Sequence, residues 1–313
     1  MVGYIIKRIL SVIPVMLVVG VVVFLLIHLA PGDPAAVILG PNATIEEVRS
    51  LHAHLGLDRP IHVQLVAWLS NVMRGNLGES IFLHRSVLQA VLERAEPTLM
   101  LTTLSLFVAV LIGIPTGIIS AVRRNTLIDH LFLGVAMFGA SVPSFWLGLS
   151  LILLFAVSLG WLPPGGFQPL SLGLWASVRY LILPAVALGF PNSALITRIT
   201  RSSMLEVLDE DYIKVARAKG LSTLVVIGRH ALRNAFIPIL TVIGLTFAVL
   251  IGGAVVTETV FTIPGVGRLV VQSVLRRDYP VIQGTVLIIA SLYVLLNLLV
   301  DLVYVLVDPR IKY

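Results

Sequence analysis

Long apolar stretches constrain the fold of this chain more than any other feature. A helix needs about 20 mostly apolar residues to cross a bilayer, and six stretches approach or exceed that length. Only 12% of the residues are charged and 58% are hydrophobic, whereas soluble domains carry about 25% charged residues. The sequence therefore predicts an all-α polytopic membrane protein with about six transmembrane helices. The six apolar stretches are 9–29, 99–122, 131–159, 180–197, 236–256 and 281–307.

The first apolar stretch begins just after Lys7 and Arg8. It is longer than the apolar core of a signal peptide, and no small-x-small cleavage site follows it. We therefore expect residues 1–30 to be a retained anchor helix. With the N-terminus placed in the cytoplasm, thirteen of the 22 lysines and arginines fall on the inner segments. Since positive charge marks the cytoplasmic side, the sequence predicts that both termini are cytoplasmic, and the basic pI does not indicate nucleic-acid binding.

The segment 31–97 is expected to be external and helical. Its Pro-rich start ends the first helix, and Thr44 and Glu47 have the spacing of a capping box. Gly56 is a suitable helix stop, and Pro60 can begin an amphipathic helix that lies on the bundle or on the bilayer surface. Residues 86–97 predict a third short helix, which turns inward at Pro97.

Metal and thiol chemistry are not expected. His52, His54 and His62 have no carboxylate or cysteine at ligand spacing. The chain contains no cysteine at all, which excludes disulfides and thiol sites. We predict no metal site.

Polar residues interrupt the third, fourth and fifth apolar stretches. Pro143 lies between two serines, and Pro191 precedes Asn192 and Ser193. Broken helices at membrane depth are tolerated where they face protein or a water-filled cavity, so these breaks could line a pathway or could be ordinary packed kinks. By contrast, Gly113 and Gly117 have the spacing of a helix-packing pair. The candidate pathway residues are Ser141, Ser144, Asn192, Ser193, Thr241 and Thr246.

A long polar and basic segment, residues 203–238, separates the fourth and fifth apolar stretches. Ser203 and Glu206 predict a capping box that starts a helix, Gly220 predicts its stop, and Ser222 can cap a second short helix. The expected structure is a helical hairpin. From its charge alone this hairpin could be a solvated loop that fixes topology or a docking element.

The sequence of this polar segment resembles a known family. Ala216-Arg217-Ala218-Lys219-Gly220, Arg229-His230, Leu232-Arg233-Asn234-Ala235 and Ile237-Pro238 are similar to the EAA loop of ABC importer permeases. More narrowly, the pattern resembles the dipeptide, oligopeptide, glutathione and nickel branch, in its first-encoded (B-type) permease subunit. Lys214 stands where the general motif begins with Glu. The external segment 258–280 is also similar to this branch.

The resemblance implies a type I ABC importer (MetI-like) fold, with a core domain 98–307 and a cytoplasmic tail 308–313. It implies transport of peptides or a similar solute across a bacterial inner membrane. The implied partners are a second homologous permease, two ABC ATPases that bind ATP and Mg, and an external solute-binding protein; no cofactor is expected on this chain. The ATPase-coupling residues implied are Lys214, Val215, Ala216, Arg217, Ala218, Lys219, Gly220 and Leu221.

Catalysis by this chain is not expected. It has no G-x-x-x-x-G-K-[ST] phosphate loop and no H-E-x-x-H or G-x-S-x-G motif. Two other functions remain open at this point, a membrane-embedded anchor or assembly protein and an ion-coupled carrier that uses Asp301. Pairing with another helix is the expected role of Asp301, because a buried acid in the membrane requires a partner. The sequence leaves the solute open.

Overall fold

The computed structural model describes residues 2–29, 34–40 and 43–307, and the regular elements in these ranges are all helical. Two π-helical segments, Ile152–Ser158 and Val226–Leu232, and a 3₁₀ turn, Leu170–Leu172, join some of the α-helices. The predicted all-α class is confirmed. The α-helices are α1 (Val2–Leu29), α2 (Pro34–Leu39), α3 (Ile45–Leu55), α4 (Ile61–Met73), α5 (Val87–Val122), α6 (Leu127–Ser141), α7 (Ser144–Leu151), α8 (Leu174–Leu208), α9 (Asp211–Ala218), α10 (Thr223–Val225), α11 (Arg233–Val260), α12 (Val266–Arg276) and α13 (Tyr279–Val307).

Within the described ranges, five helices are long and apolar enough to cross a membrane, and a bent pair makes up a sixth span if it is counted as one. The five lie in α1, α5, α8, α13 and the continuous helix Thr223–Val260. The bent pair is α6 with Ser144–Ser158, whose axes differ by 98°. This bend lies at the predicted break between Ser141 and Ser144, and the expectation of about six spans is confirmed.

Two other predicted interruptions are wrong. Helix α5 continues through Pro97, where the sequence predicted an inward turn, and α8 continues through Pro191. Side chains bond the carbonyls around Pro191: Asn192 Nδ2 donates to Leu188 O at 2.7 Å and Ser193 Oγ donates to Phe190 O at 2.7 Å. The carbonyl that Pro191 leaves without a helical donor is that of Ala187, which neither bond reaches; helix α8 nevertheless continues, as prolines are tolerated in transmembrane helices that pack against neighbours.

The predicted helix start at Ser203 is also wrong. Helix α8 runs without interruption to Leu208, and Ser203 and Met204 are buried in its interior. Packing of this buried face outweighs the local capping signal, because a helix cap is worth only about 1 kcal/mol.

The chain divides into two compact units. The first comprises Met1–Ala95 and Arg268–Leu295, and the second comprises Glu96–Gly267 and Leu296–Tyr313. In the first unit the capping box is confirmed: Thr44 Oγ1 accepts from Glu47 N at 3.3 Å and Glu47 Oε2 accepts from Thr44 N at 2.8 Å. Gly56 ends α3 in the left-handed conformation with φ 67°.

In the second unit, α5 and α8 pack closely at two glycines. A Cβ atom on Gly113 would lie 2.7 Å from Ile196 Cβ, and one on Gly117 would lie 2.6 Å from Thr200 Cβ. The packing role predicted for Gly113 and Gly117 is confirmed, since only glycine leaves room for this approach.

The turn after α11 depends on a buried acid. Glu258 is fully buried, and its carboxylate accepts from Thr98 Oγ1 at 2.6 Å. The same hydroxyl oxygen accepts from Val266 N at 2.8 Å. A Cβ atom on Gly265 would lie 2.3 Å from Glu258 Cδ. Close approach to Glu258 therefore accounts for the glycine at this position in the turn.

Some predictions concern parts outside the described residues. They are the turn at residues 31–33, the C-terminal residues 308–313, and the side chains of His54 and Asp301.

Candidate functional site

The polar segment 203–238 forms a surface hairpin, with boundaries that differ from those predicted. Helix α9 follows the end of α8 directly and is closed by Gly220, which has φ 77°. Because this left-handed conformation favours glycine, the predicted stop is confirmed. Ser222 is at the N-cap position of the next helix, but its side chain makes no capping hydrogen bond. That helix is not short as predicted, since it continues from Thr223 to Val260.

A buried apolar cluster fixes this hairpin to the ends of three long helices. Ile213 and Ala216 on the inner face of α9 belong to the same cluster as Met204 of α8. Since these side chains are almost completely removed from solvent, α9 and the ends of the long helices are expected to move together. The other buried members are Ala121, Val226, Ala231, Ala235 and Ile239.

The outer face of the hairpin is apolar and basic; we call it the tip surface. Its apolar members are unusually exposed, with Val215 at 53% and Leu224 at 84%. Seven of the eight predicted coupling residues are exposed, and Ala216 is the exception at 6% because it faces the cluster. The tip surface consists of Tyr212, Lys214, Val215, Arg217, Ala218, Lys219, Gly220, Leu221, Leu224 and Val225.

An exposed ion pair joins Lys214 of the tip surface to Asp211 in the first turn of α9. Lys214 Nζ lies 2.8 Å from Asp211 Oδ1, and both side chains are exposed. This hydrogen bond lowers the pKa of Asp211 and raises the pKa of Lys214. Burial raises the pKa of the neighbouring Tyr212 hydroxyl. Exposed ion pairs contribute little to the free energy of unfolding. This pair therefore orients the first turn of α9 and does not hold the hairpin in place.

A buried ion pair near the hairpin, Asp129 with Arg201, was not predicted from the sequence. Asp129, in the first turn of α6, is fully buried and accepts two hydrogen bonds from Arg201 of α8. It also accepts from Ser120 Oγ of α5 and, at 2.9 Å, from the backbone N of Asn125. Three helices are therefore joined at one carboxylate. The available signal was an acid and an arginine within otherwise apolar helices, where charged groups require partners.

The six candidate pathway residues lie on α6, α7, α8 and α11, and α8 packs against the other three helices. Several of their side chains bond to their own helices: Ser141 Oγ donates to Met137 O at 2.9 Å and Thr241 Oγ1 donates to Ile237 O at 3.0 Å. The hydroxyl of Thr246 is buried and has no hydrogen-bond partner within the described chain. Ser144 begins α7, after the bend.

Among the residues that the structure describes, no group of three or more His, Cys, Asp or Glu side chains could hold a metal ion.

Two family models match nearly the whole chain. The model described as binding-protein-dependent transport system inner membrane component matches residues 113–313. Its N-terminal companion, described as the N-terminal part of the same membrane component, matches residues 1–102.

Curated relatives are similar over their full lengths. A probable peptide ABC transporter permease of Sinorhizobium fredii is 50% identical over 310 residues, 99% of each chain. A putative peptide transport system permease of Brucella abortus is 45% identical over 313 residues, 100% of each chain. A glutathione transport system permease of Salmonella typhimurium is also 45% identical over 313 residues, again 100% of each chain.

Solved structures of a methionine ABC transporter, MetNI, in inward-facing conformations have a similar fold. One chain superposes with a TM-score of 0.59 at 20% identity, covering 71% of this chain and 97% of that chain. A chain from a second crystal form superposes with a TM-score of 0.57, also at 20% identity, and the superposition covers 69% of this chain and 95% of that chain. The predicted type I importer fold is confirmed.

Proposed function

The chain belongs to the family of binding-protein-dependent transport system inner membrane components and is a permease subunit of an ABC importer, and we propose that it imports peptides or a similar solute delivered by an external binding protein. The names of its relatives support this solute class, since they describe peptide and glutathione permeases. The chain itself is a non-catalytic part of the assembly. ATP and Mg bind to partner ATPases, consistent with a sequence that has no phosphate loop.

The observation that carries the coupling proposal is the tip surface. It exposes the large apolar side chains of Val215, Leu221 and Leu224 next to basic groups, on a hairpin that a buried cluster fixes to the long helices. Exposed ion pairs contribute only about 0.2 to 1 kcal/mol each. Burial of the apolar tip residues in a cleft of an ATPase would therefore supply most of the docking free energy.

Movement would reach the membrane through the helices that the hairpin joins. Helix α8 ends at the hairpin, and the Asp129 to Arg201 pair attaches α6 to α8. The far end of α6 is the 98° bend at Ser141–Ser144. Displacement of the tip by ATP-driven closure of the ATPases would thus act on the bend and on the polar residues of α8 and α11, which we propose line the pathway.

The complete assembly proposed contains this chain, a second homologous permease, two ABC ATPases and an external binding protein. Both termini and the tip surface face the cytoplasm in this arrangement. The distribution of lysine and arginine supports this orientation.

Cysteine crosslinking tests the coupling proposal directly, because the chain has no cysteine of its own. Ala218→Cys places a thiol on the exposed tip, and Ala216→Cys places one two residues away on the buried face. We expect Ala218→Cys to crosslink to an ATPase carrying one cysteine in its docking cleft, with a yield that changes when ATP binds. Ala216→Cys should not crosslink.

Two results would count against coupling. One is the absence of any crosslink from Ala218 and its exposed neighbours in every nucleotide state. The other is equal crosslinking from Ala216→Cys, which would show that the yield reports random collision. The solute is tested separately, by purifying the binding protein that docks on the assembly and identifying its bound ligand by mass spectrometry.

A further inference from the structure

The first unit contains a cavity that includes none of the tip-surface residues and none of the candidate pathway residues. It has a volume of about 250 Å³ and lies between α1, the turn after α3, one face of α4, and α13. Phe24 and Trp68 form its aromatic side, with ring centroids 5.9 Å apart. Arg59 and the side-chain amides of Asn71 and Gln283 form its polar side.

The chemistry of the lining favours an anionic, hydroxyl-bearing ligand with an apolar part. Among the described residues that line the cavity, Arg59 is the only charged one and none carries a carboxylate. Gln283 Nε2 donates to the carbonyls of Val23 and Phe24 at 3.2 and 3.3 Å. Because its NH₂ group is occupied in this way, the group that Gln283 can offer to a ligand is its carbonyl oxygen, an acceptor for a hydroxyl. The guanidinium group of Arg59 matches the geometry of a phosphate.

The position of the cavity indicates where such a ligand comes from. Phe24 lies five residues before the end of α1 at Leu29, and Gln283 lies four residues after the start of α13 at Tyr279. With a rise of about 1.5 Å per residue, the cavity lies within about 8 Å of the ends of both helices, near the boundary between hydrocarbon and headgroups. Tryptophan is enriched at this level of the bilayer. Helix α4 also exposes Val66 at 67% and Met73 at 82%, which suits contact with acyl chains.

We propose that this cavity is a binding site for the headgroup of an anionic phospholipid of the phosphatidylglycerol type, with the phosphate at Arg59. The bound lipid holds α4 to the leaflet at the C-terminal end of α1. A soluble phosphate ester such as glycerol 3-phosphate shares the headgroup chemistry but lacks acyl chains for the apolar lining. The proposal concerns the membrane anchor alone and does not depend on which solute is transported.

Native mass spectrometry of the complete transporter assembly tests this site. Delipidated protein is mixed with equal amounts of dioleoyl phosphatidylglycerol, phosphatidylethanolamine and phosphatidylcholine, and the retained lipids are counted. We expect one phosphatidylglycerol to be retained in preference to the other two. Arg59→Gln removes a charge-assisted hydrogen bond and should lower this retention by about tenfold. Arg74→Ala is the matched control, because Arg74 flanks the other end of α4 and does not line the cavity, and it should retain the lipid.

Arg59→Lys keeps the positive charge but lacks the planar guanidinium group, so it should retain an intermediate amount of phosphatidylglycerol. This variant separates lipid binding from folding if Arg59→Gln is poorly expressed. The proposal is overturned if wild-type protein retains the three lipids equally. It is also overturned if Arg59→Gln and Arg74→Ala behave alike, or if millimolar glycerol 3-phosphate displaces the lipid. Brominated phosphatidylglycerol should quench tryptophan fluorescence less in Trp68→Phe than in wild type, and equal quenching would contradict the site.

Discussion

Arg201 binds both carboxylate oxygens of the buried Asp129, with Nε 2.8 Å from Oδ1 and Nη2 2.7 Å from Oδ2. The bidentate geometry is the strong form of an ion pair. Because the carboxylate also accepts from Ser120 on α5, the pair fixes the starts and ends of three helices close to the hairpin. This contact is one link between the hairpin and the bent span, in addition to the packing of α6 against α8.

Breaking this pair should strongly destabilise the protein. Asp129→Ala leaves the partly buried guanidinium group of Arg201 without its partner, and removal of one member of a buried pair costs about 3 to 5 kcal/mol. Thermal unfolding of the detergent-solubilised protein measures the effect. Asp209→Ala is the control. Asp209 pairs with Arg124 at 3.5 Å, but its side chain is 74% exposed. This substitution should therefore lower the free energy of unfolding by no more than about 1 kcal/mol. Equal losses in the two variants would contradict the assigned role of Asp129.

The contact between α5 and α8 predicts the effect of adding one methyl group. In Gly117→Ala the new Cβ would lie 2.7 Å from Thr197 O, and relief of this clash should cost about 1 to 3 kcal/mol. Gly134→Ala is the control, because nothing lies within 4 Å of its added Cβ. Thermal unfolding should distinguish the two variants. A neutral Gly117→Ala would mean that the two helices are not in close contact in the membrane.

The turn at Gly220 predicts uncoupling of ATP hydrolysis from uptake. Gly220→Val places a β-branched residue at φ 77°, a conformation that costs about 1 to 2 kcal/mol for residues other than glycine, so the tip should rearrange. Uptake should fall while ATP hydrolysis by the assembly continues.

Gly75→Val is the matched control for this variant. Gly75 has φ 79° and open space around it, but it lies outside the hairpin. The same backbone strain there should leave the ratio of transport to hydrolysis unchanged. Normal uptake by well-expressed Gly220→Val would remove the support for coupling through this turn.

The N-cap residues Thr44 and Ser222 should respond differently to alanine. Thr44 forms a complete capping box with Glu47, so Thr44→Ala should destabilise α3 by about 1 kcal/mol. Ser222→Ala should have almost no effect, because the Ser222 side chain makes no capping hydrogen bond. Hydrogen exchange of the amides in the first turn of each helix provides the measurement. Equal acceleration at both sites would contradict the assigned caps.

The Asp211 to Lys214 pair should have little influence on transport near neutral pH. Since the pKa of Asp211 is lowered, its contribution is complete above the ordinary pKa of an aspartate and is lost as the pH falls through the lowered value. The hydrogen bond to Asp211 raises the pKa of Lys214, so the contribution of Lys214 is complete below the ordinary pKa of a lysine and is lost as the pH rises through the raised value. Asp211→Asn should therefore leave the pH profile of uptake between about pH 6 and 9 unchanged. A marked shift would give this exposed pair a functional role.

The boundaries of the hairpin illustrate which predictions from local sequence fail. Gly220 was predicted correctly because a left-handed residue depends on its own backbone. The helix start predicted at Ser203 was wrong, because the capping signal of this residue competes with burial of the whole end of α8. The turn predicted at Pro97 failed as well: helix α5 continues through this residue, because a proline removes only one backbone hydrogen bond of a long helix whose other bonds remain.

The candidate site was likewise only partly predictable. The tip residues carry the family motif and lie next to one another in the sequence, so their exposure could be expected for all but Ala216. Whether an alanine faces the cluster or the solvent depends on which side of α9 meets α8, and that is a matter of tertiary packing.

By itself, the sequence determined the membrane class, the approximate number of spans, the polar hairpin and the family, because apolar length, charge and local motifs are properties of contiguous residues. The tertiary structure alone decided which helices run through their prolines, which face of α9 is buried, and that Arg201 meets Asp129. These features depend on contacts between residues far apart in the chain, where the free energy of burial and pairing outweighs the preference of any short segment.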